Sequence, residues 1–286
     1  MPKYLVIVST VSTWLEKASK EQGVFHFPPN RKPRILKLSE GDICIVYLYD
    51  RKVFAGEFEV VEVKEITGKE FYRKYANKAV EVAKAPFPKP NDKVRIIIYR
   101  GMKTYLQPIA VGDVKNIESI GPLGYTRVLK WEKYSWIYEQ IKATLQAQQE
   151  IHENLKKCLM EIGEALGFYA KKEEWSPDKL YRFDVVWYGY QGAPRPLKVF
   201  EIENRSNIDL ALARLNHAYD VWGSELYLII TEEKDLERAR KLINPYLKGA
   251  FHRLRDKIEI ILPQQISEIT KTIQKYKQVF KKLTKR

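Results

Sequence analysis

The sequence predicts an α+β protein of two domains, an N-terminal β-barrel with short helices over residues 1–130 and a C-terminal α/β/α layered domain over residues 131–286. Short apolar runs separated by turn residues fill the first region, which is typical of small all-β domains. A long helical stripe opens the second region and is followed by alternating strands and helices. Between them lies the breaker-rich segment 121–124, Gly-Pro-Leu-Gly, which we interpret as the domain boundary.

Within the first region, β-branched and aromatic runs bounded by Gly, Pro or Asp predict five strands. These predicted strands cover residues 4–8, 25–27, 43–49, 53–63 and 94–99. The third and fourth form a hairpin through the turn at Asp50. A short helix is expected over residues 12–16, with Ser12 as its N-terminal cap, and another over residues 69–82.

Within the second region, apolar residues recur at helical spacing over residues 134–166. Strands are predicted over residues 168–175, 183–190, 197–203, 226–231 and 257–262. Helices are predicted over residues 208–222, 234–247 and 265–283. This order predicts a sheet with helices on its faces.

Charge is unevenly distributed along the 286 residues, whose net charge is +14. Residues 1–130 carry 23 basic and 14 acidic side chains, whereas residues 131–270 are close to neutral. The last 16 residues contain seven basic side chains and no acidic one. An excess of this kind favours a polyanionic partner, most simply nucleic acid, gripped by the first domain and the tail.

Other classes of protein fit the composition poorly. Only two Cys and four scattered His are present, so neither a disulfide scaffold nor a zinc site is expected. No apolar run approaches the roughly 18 residues that a membrane-spanning helix needs. We therefore expect a soluble, cytoplasmic protein that does not enter a membrane. Abundant Lys and Glu with scarce Cys and Met are typical of thermophiles.

Three carboxylates form the sharpest chemical signal. Asp184 lies on one predicted strand, and Glu201 and Glu203 lie on the next, two residues apart and so on one face. A hairpin through Gly192 would bring Asp184 beside them. Buried carboxylates are costly unless a cation binds, and oxygen ligands suit Mg²⁺ or Mn²⁺, which can activate water to attack a phosphate. Alternatively, the acids face solvent or pair with nearby arginines.

This arrangement resembles the PD-(D/E)XK nuclease fold over about residues 135–265, with an acid on the second core strand and (D/E)-x-K on the third. Asp184 and Glu201 match the two acids, but Glu203 stands where the family has Lys. Some restriction endonucleases carry Glu-x-Glu at this place. In an alternative frame, Glu203 is the ligand and Arg205 takes the Lys position. The proline that precedes the first acid in the family is replaced by Phe183.

The resemblance implies an Mg²⁺ or Mn²⁺ ion held by Asp184, Glu201 and Glu203. It also implies a further acid from the first helix, for which Glu164 is preferred to Glu161. Nearby cationic groups would contact the nucleic-acid backbone: Arg205, Arg214 and His217.

The first region resembles the PUA-like superfamily, in particular its EVE and YTH-like members. The matching pieces are the opening strand, residues 12–16, Gly23-Val24, Gly41-Asp42 and residues 54–56, Phe-Ala-Gly. The resemblance implies an aromatic pocket for a flipped, modified base, in which stacking would restore energy lost on unstacking. The implied pocket residues, Trp14 foremost, are Trp14, Phe25, Tyr47, Tyr49 and Phe54. Basic residues around this pocket would contact phosphates or, alternatively, serve as solvated surface charges: Arg31, Lys32, Arg34, Arg95 and Arg100.

Not every aromatic in this set needs to line a pocket. Tyr47 and Phe54 also suit the barrel core, which is the commoner place for such side chains. Trp14 suits either.

Together these features predict a modification-dependent, Mg²⁺-dependent DNA endonuclease that reads a modified base in double-stranded DNA and cuts nearby. A homodimer is expected, because cutting two strands requires two active sites. An RNA-directed reader or nuclease and a non-catalytic nucleic-acid-binding protein are the alternatives.

Overall fold

A computed structural model of the chain describes residues 1–15, 18, 21–27, 33–81, 88–203, 208–244, 249–277 and 279. These residues form two compact units, Met1–Gln146 and Ala147–Arg286. The units divide inside helix α3, Trp131–Ala165, and not before it as predicted. The physical reason is that Ile137 and Ile141 at the start of α3 are fully buried in a core of the first unit.

The first unit contains one seven-stranded sheet and two short helices. Its strands are β1 Tyr4–Thr10, β2 Gln22–Phe27, β3 Ile43–Leu48, β4 Val53–Thr67, β5 Ala79–Glu81, β6 Lys93–Ala110 and β7 Arg127–Lys130. Its helices are α1 Ser12–Leu15, α2 Gly68–Lys74 and the part of α3 that precedes Ala147. The strand order is β5-β2-β6-β4-β3-β1-β7, so β5 and β7 are the edges and pairing between the described residues closes no ring. The predicted β-rich domain is thus present, and the pairing between its described residues leaves the predicted β-barrel open at β5 and β7.

Both faces of this sheet are buried. Val6 and Val8 of β1 share one core with Phe25 of β2, although these strands are far apart in the sheet, so the sheet curves around that core. The opposite face is covered in part by Phe71 of α2 and in part by the start of α3. Burial on both faces accounts for strand sequences that read as continuous apolar runs.

The second unit is a three-layer α/β/α arrangement, as predicted. Its strands are β8 Tyr169–Trp175, β9 Arg182–Tyr188, β10 Lys198–Glu203, β11 Glu225–Ile230 and β12 Ile258–Ile261. Its helices, besides the second half of α3, are α4 Ile208–Trp222, α5 Glu233–Ile243 and α6 Pro263–Lys275. The sheet order is β12-β11-β10-β9-β8, antiparallel from β8 to β10 and parallel from β10 to β12. Helices α4 and α5 pack on one face, and α3 and α6 pack on the other.

A tight contact fixes α3 against β9. The indole Nε1 of Trp187 donates a hydrogen bond to the carbonyl oxygen of Leu159, at 3.1 Å. A Cβ atom on Gly163 would lie 2.6 Å from that same nitrogen. Only glycine therefore allows the helix to approach the strand this closely, and this contact sets which part of α3 lies beside each residue of β9.

Across the part of the chain that the structure describes, no helix is long and apolar enough to cross a membrane.

Gly163→Ala is expected to lower the free energy of unfolding by about 1–3 kcal/mol, because the added methyl group must displace the Trp187 indole. The helix preference of alanine, worth up to about 1 kcal/mol, offsets only part of this. Denaturant unfolding measures the difference. Gly112→Ala is the control, since no atom lies within 4 Å of a Cβ there. A Gly163→Ala protein as stable as the parent would contradict the close packing.

Candidate active site

Strands β9 and β10 separate at the predicted carboxylates. Their last paired residues are Val185 and Phe200. Beyond that pair, side chains replace the backbone ladder: the Ile202 amide donates to Asp184 Oδ2 at 2.8 Å, and the Asp184 amide donates to Glu201 Oε1 at 3.3 Å. Asp184 and Glu201 are both buried, so the opening between the strands is lined by two carboxyl groups.

Helix α3 supplies two basic side chains to Asp184. His152 Nε2 lies 3.3 Å from Asp184 Oδ2, and Lys156 Nζ lies 3.7 Å from Oδ1. Burial by itself would raise the pKa of Asp184, but His152, the Ile202 amide and the charge of Lys156 hold it below its usual value. Asp184 is therefore ionised at neutral pH.

Lys156 is a buried cation, with only 4% of its side chain exposed. Besides Asp184, it pairs with Glu153 at 3.1 Å and with Glu173 of β8. Burial would lower the pKa of Lys156, but Glu173, Asp184 and Glu153 outweigh it and raise the pKa. The ammonium group is thus charged and held beside the carboxylates.

The pKa of Glu201 is shifted in the opposite direction to that of Asp184. Burial, followed by the nearby charge of Asp184, raises its pKa well above the usual value. Arg214 of α4, whose Nη1 lies 3.0 Å from Glu201 Oε2, offsets this only in part. The two carboxyl groups therefore lose their protons at different pH, a pattern common in active sites.

The three predicted metal ligands are not assembled as one set. Among the described residues, no three His, Cys, Asp or Glu side chains are grouped so that they could hold a metal ion. Asp184 and Glu201 do converge, while Glu203 is buried further along β10. Because Mg²⁺ is commonly held by one or two carboxylates together with water and substrate phosphate, the residues fit a two-carboxylate site.

The expectation that Glu164 completes the site is wrong. Trp187 of β9 packs beside Leu159 and Gly163, so the more N-terminal turns of α3 lie beside Asp184. Glu164 is exposed and lies eight residues beyond Lys156, about 12 Å along the helix axis. Glu161 instead accepts a hydrogen bond from Gln274 of α6.

His152 and Lys156 were missed by the sequence analysis. A signal was present, because Lys156 lies between apolar positions of α3 that face the sheet, Leu155 and Leu159. A lysine on the buried side of an amphipathic helix requires a carboxylate partner. This rule predicts that Lys156 pairs with a buried carboxylate.

Several cations predicted to contact phosphate are instead paired within their own unit. Arg214 pairs with Glu201. His217 Nε2 lies 2.9 Å from Asp178 Oδ2, Arg95 Nε lies 3.0 Å from Glu65 Oε2, and Arg100 Nη2 lies 3.1 Å from Glu59 Oε1. Arg31, Lys32, Arg205 and the side chain of Arg34 lie outside the described part of the chain.

Most of the predicted base-pocket aromatics belong to the cores of the first unit. Phe25 is fully buried and stacks on Phe58, with ring centroids 5.0 Å apart. Phe54 is fully buried against Tyr47, which is also buried. The rings of Phe25, Tyr47 and Phe54 pack against neighbouring side chains, so the prediction that they line a base pocket is corrected. Tyr49 is 43% exposed. Trp14 belongs to α1, and its side chain is outside the described part.

Comparison with models of known protein families gave no match. Comparison with curated proteins gave none either. Among solved structures, similarity was found to an ASCH protein from Zymomonas mobilis, at 12% identity and a TM-score of 0.37 over 47% of this chain and 94% of that chain. A single-residue variant of that protein aligns at 11% identity and a TM-score of 0.38 over 49% and 95% of the two chains. ASCH domains have a PUA-like fold.

Glu201→Gln tests the raised pKa of this carboxyl group. In the parent, folded Glu201 binds a proton that the unfolded chain has released, so this residue costs more stability as pH rises above the usual glutamate pKa of about 4.3. The Gln variant has no such cost. Its melting temperature relative to the parent, measured in EDTA, is therefore expected to increase from pH 4 to pH 8.

Glu164→Gln, at an exposed position of α3, is the control for the loss of one carboxyl group. A difference between Glu201→Gln and the parent that does not vary with pH would contradict the assignment.

Proposed function

We propose that this protein is a metal-dependent DNA endonuclease, in which the second unit hydrolyses the phosphodiester bond and the first unit reads a modified base. The observation that supports it is the pair Asp184 and Glu201, placed where two strands separate and flanked by two cations. The net charge of +14 supports a nucleic-acid partner. Double-strand cleavage would require a homodimer.

In this proposal Asp184 and Glu201 would hold Mg²⁺. When bound, the metal would supply a Lewis acid and a water molecule of lowered pKa. Asp184 is ionised at neutral pH, and Glu201, whose pKa is raised by burial and by the charge of Asp184, would serve as a ligand in its ionised form. Arg214 keeps the Glu201 carboxyl group in place through its hydrogen bond to Oε2.

Lys156 would take the role of the lysine that the Glu203 position lacks. It reaches Asp184 from α3 and carries a positive charge in a buried setting, where electrostatic interactions are strong. A fixed cation there would stabilise the negative charge that develops on the phosphate as water attacks. His152, at hydrogen-bond distance from Asp184, orients that carboxylate.

Asp184→Asn and Lys156→Met are each expected to reduce the cleavage rate about 10²–10³-fold while nucleic-acid binding is retained. The assay is cleavage in Mg²⁺ or Mn²⁺ of matched duplexes that are unmodified, adenine-methylated or cytosine-methylated. Lys157→Met is the matched control, since Lys157 is the neighbouring, exposed lysine of α3. Melting temperatures verify that each variant is folded. Failure of the parent to cut any of these substrates would contradict the proposal.

Trp14→Ala is expected to remove the preference for modified over unmodified duplex. Loss of one base stack is worth about 1–3 kcal/mol, which corresponds to about 5- to 150-fold in affinity. Binding is measured in an Asp184→Asn background so that cleavage does not interfere. Tyr72→Ala, at an exposed aromatic of α2, is the control. A Trp14→Ala protein that still discriminates would contradict the pocket, and competition with RNA tests the choice of nucleic acid.

A non-catalytic nucleic-acid-binding protein is the second candidate. The observation that favours it is that Asp184 and Glu201 already have protein partners, His152, Lys156 and Arg214, as in a structural ion-pair network. Under this alternative, Asp184→Asn lowers the melting temperature and the parent binds nucleic acid without cutting it. The cleavage assay above separates the two candidates.

A further inference from the structure

We infer that Trp175 and Arg182 form a contact surface for an unstacked base of the nucleic-acid substrate, close to the phosphate that is cut. The inference rests on the proposed function, because it assigns the neighbourhood of Asp184 to substrate. It goes further because it specifies the form of the substrate: a single strand, or a duplex that is locally opened.

The two side chains are adjacent at one end of the sheet. Trp175 is the last residue of β8, and Arg182 is the first residue of β9 and pairs directly with it. Residues opposite each other in an antiparallel pair project to the same side. The Arg182 guanidinium carbon lies 5.8 Å from the centre of the Trp175 ring. The pair therefore presents a flat aromatic ring and a cation side by side.

Both members of the pair are open to solvent. Trp175 is 52% exposed, and the Arg182 side chain is 53% exposed. The exposed indole of Trp175 offers a large, flat apolar ring to the solvent. An indole face accepts any base by stacking, whatever its sequence.

A chain of contacts leads from this pair to the carboxylates. Arg182 Nε lies 2.8 Å from Glu173 Oε2, and Glu173 also pairs with Lys156 beside Asp184. Glu173 adopts a left-handed backbone conformation, φ 58°, which non-glycine residues rarely adopt. The spacing is short as well, since Asp184 follows Arg182 by two residues, about 7 Å along the strand.

The neighbouring carboxyl groups explain why a positive charge at Arg182 would favour binding of a phosphate. The carboxyl groups of Glu173 and Asp184 would disfavour an approaching phosphate, and the half-exposed guanidinium of Arg182, paired with Glu173, offsets this. Arg182 can remain stacked on Trp175 while its outer N–H groups face solvent and a phosphate oxygen. The base and the phosphate of one nucleotide would thus both be held.

The test measures binding of fluorescein-labelled single-stranded DNA by anisotropy, in EDTA and in an Asp184→Asn background. Trp175→Ala is expected to weaken binding about 5- to 150-fold, whereas Trp175→Phe retains most of the affinity because a ring remains. Arg182→Gln is expected to reduce the slope of log affinity against log salt by about 1. Tyr190→Ala is the matched control, since Tyr190 is exposed beyond the opposite end of β9 and should leave affinity unchanged.

The outcomes separate this inference from the proposed function. If Trp175→Ala binds as tightly as its parent, the contact is overturned, even where Asp184→Asn abolishes cleavage. If Trp175→Ala binds weakly and Tyr190→Ala does not, the contact stands, even where the wild-type chain cuts no substrate. Melting temperatures of both variants confirm that a loss of affinity is not a loss of fold.

Discussion

The second unit depends on two hydrogen bonds at the separation of β9 and β10, in which the Asp184 carboxylate accepts from the Ile202 amide and the Glu201 carboxyl group accepts from the Asp184 amide. Where the ladder stops, two backbone amides would be left buried without acceptors, and the carboxyl groups accept from both. Two buried carboxyl groups then require compensation of their own. His152 and Lys156 from one helix layer and Arg214 from the other supply it.

The position of α3 follows from the same requirement. Lys156 reaches Asp184 only because the helix lies close against β9, and that closeness needs glycine at position 163 beneath the Trp187 indole. A packing contact at one end of the strand thus determines which basic side chains meet the acid at its other end. Burial and the nearby charge of Asp184 raise the pKa of Glu201 despite its pairing with Arg214, so the ionised form of this carboxyl group is only partly compensated.

The order and type of most elements could be predicted from the sequence, whereas the ends of several strands and the short edge strands could not. The layered second unit follows from periodicity, and its observed strands lie within a few residues of those expected. Strand β6 extends to Ala110, whereas the predicted strand ends at residue 99. The predicted strand is too short because polar residues and Gly101 interrupt the apolar run in the sequence. The short edge strands β5 and β7 were missed, since their pairing depends on partners distant in sequence. Aromatic side chains occur both in base-binding pockets and in hydrophobic cores, so the sequence does not distinguish these two places. In the folded protein, Phe25 and Phe54 pack in cores.

The sequence by itself determined the chemistry available to this protein: a basic first half, two acids on neighbouring strands, and a helix before them with a lysine among its apolar residues. It did so because residue type and local periodicity are properties of short segments. Only the tertiary structure decided which of these groups meet. Lys156 and Asp184 are 28 positions apart, Arg214 and Glu201 are brought together across two layers, and Glu164 is turned away by a helix register that one glycine sets. Such choices depend on how layers pack, which local sequence does not encode residue by residue.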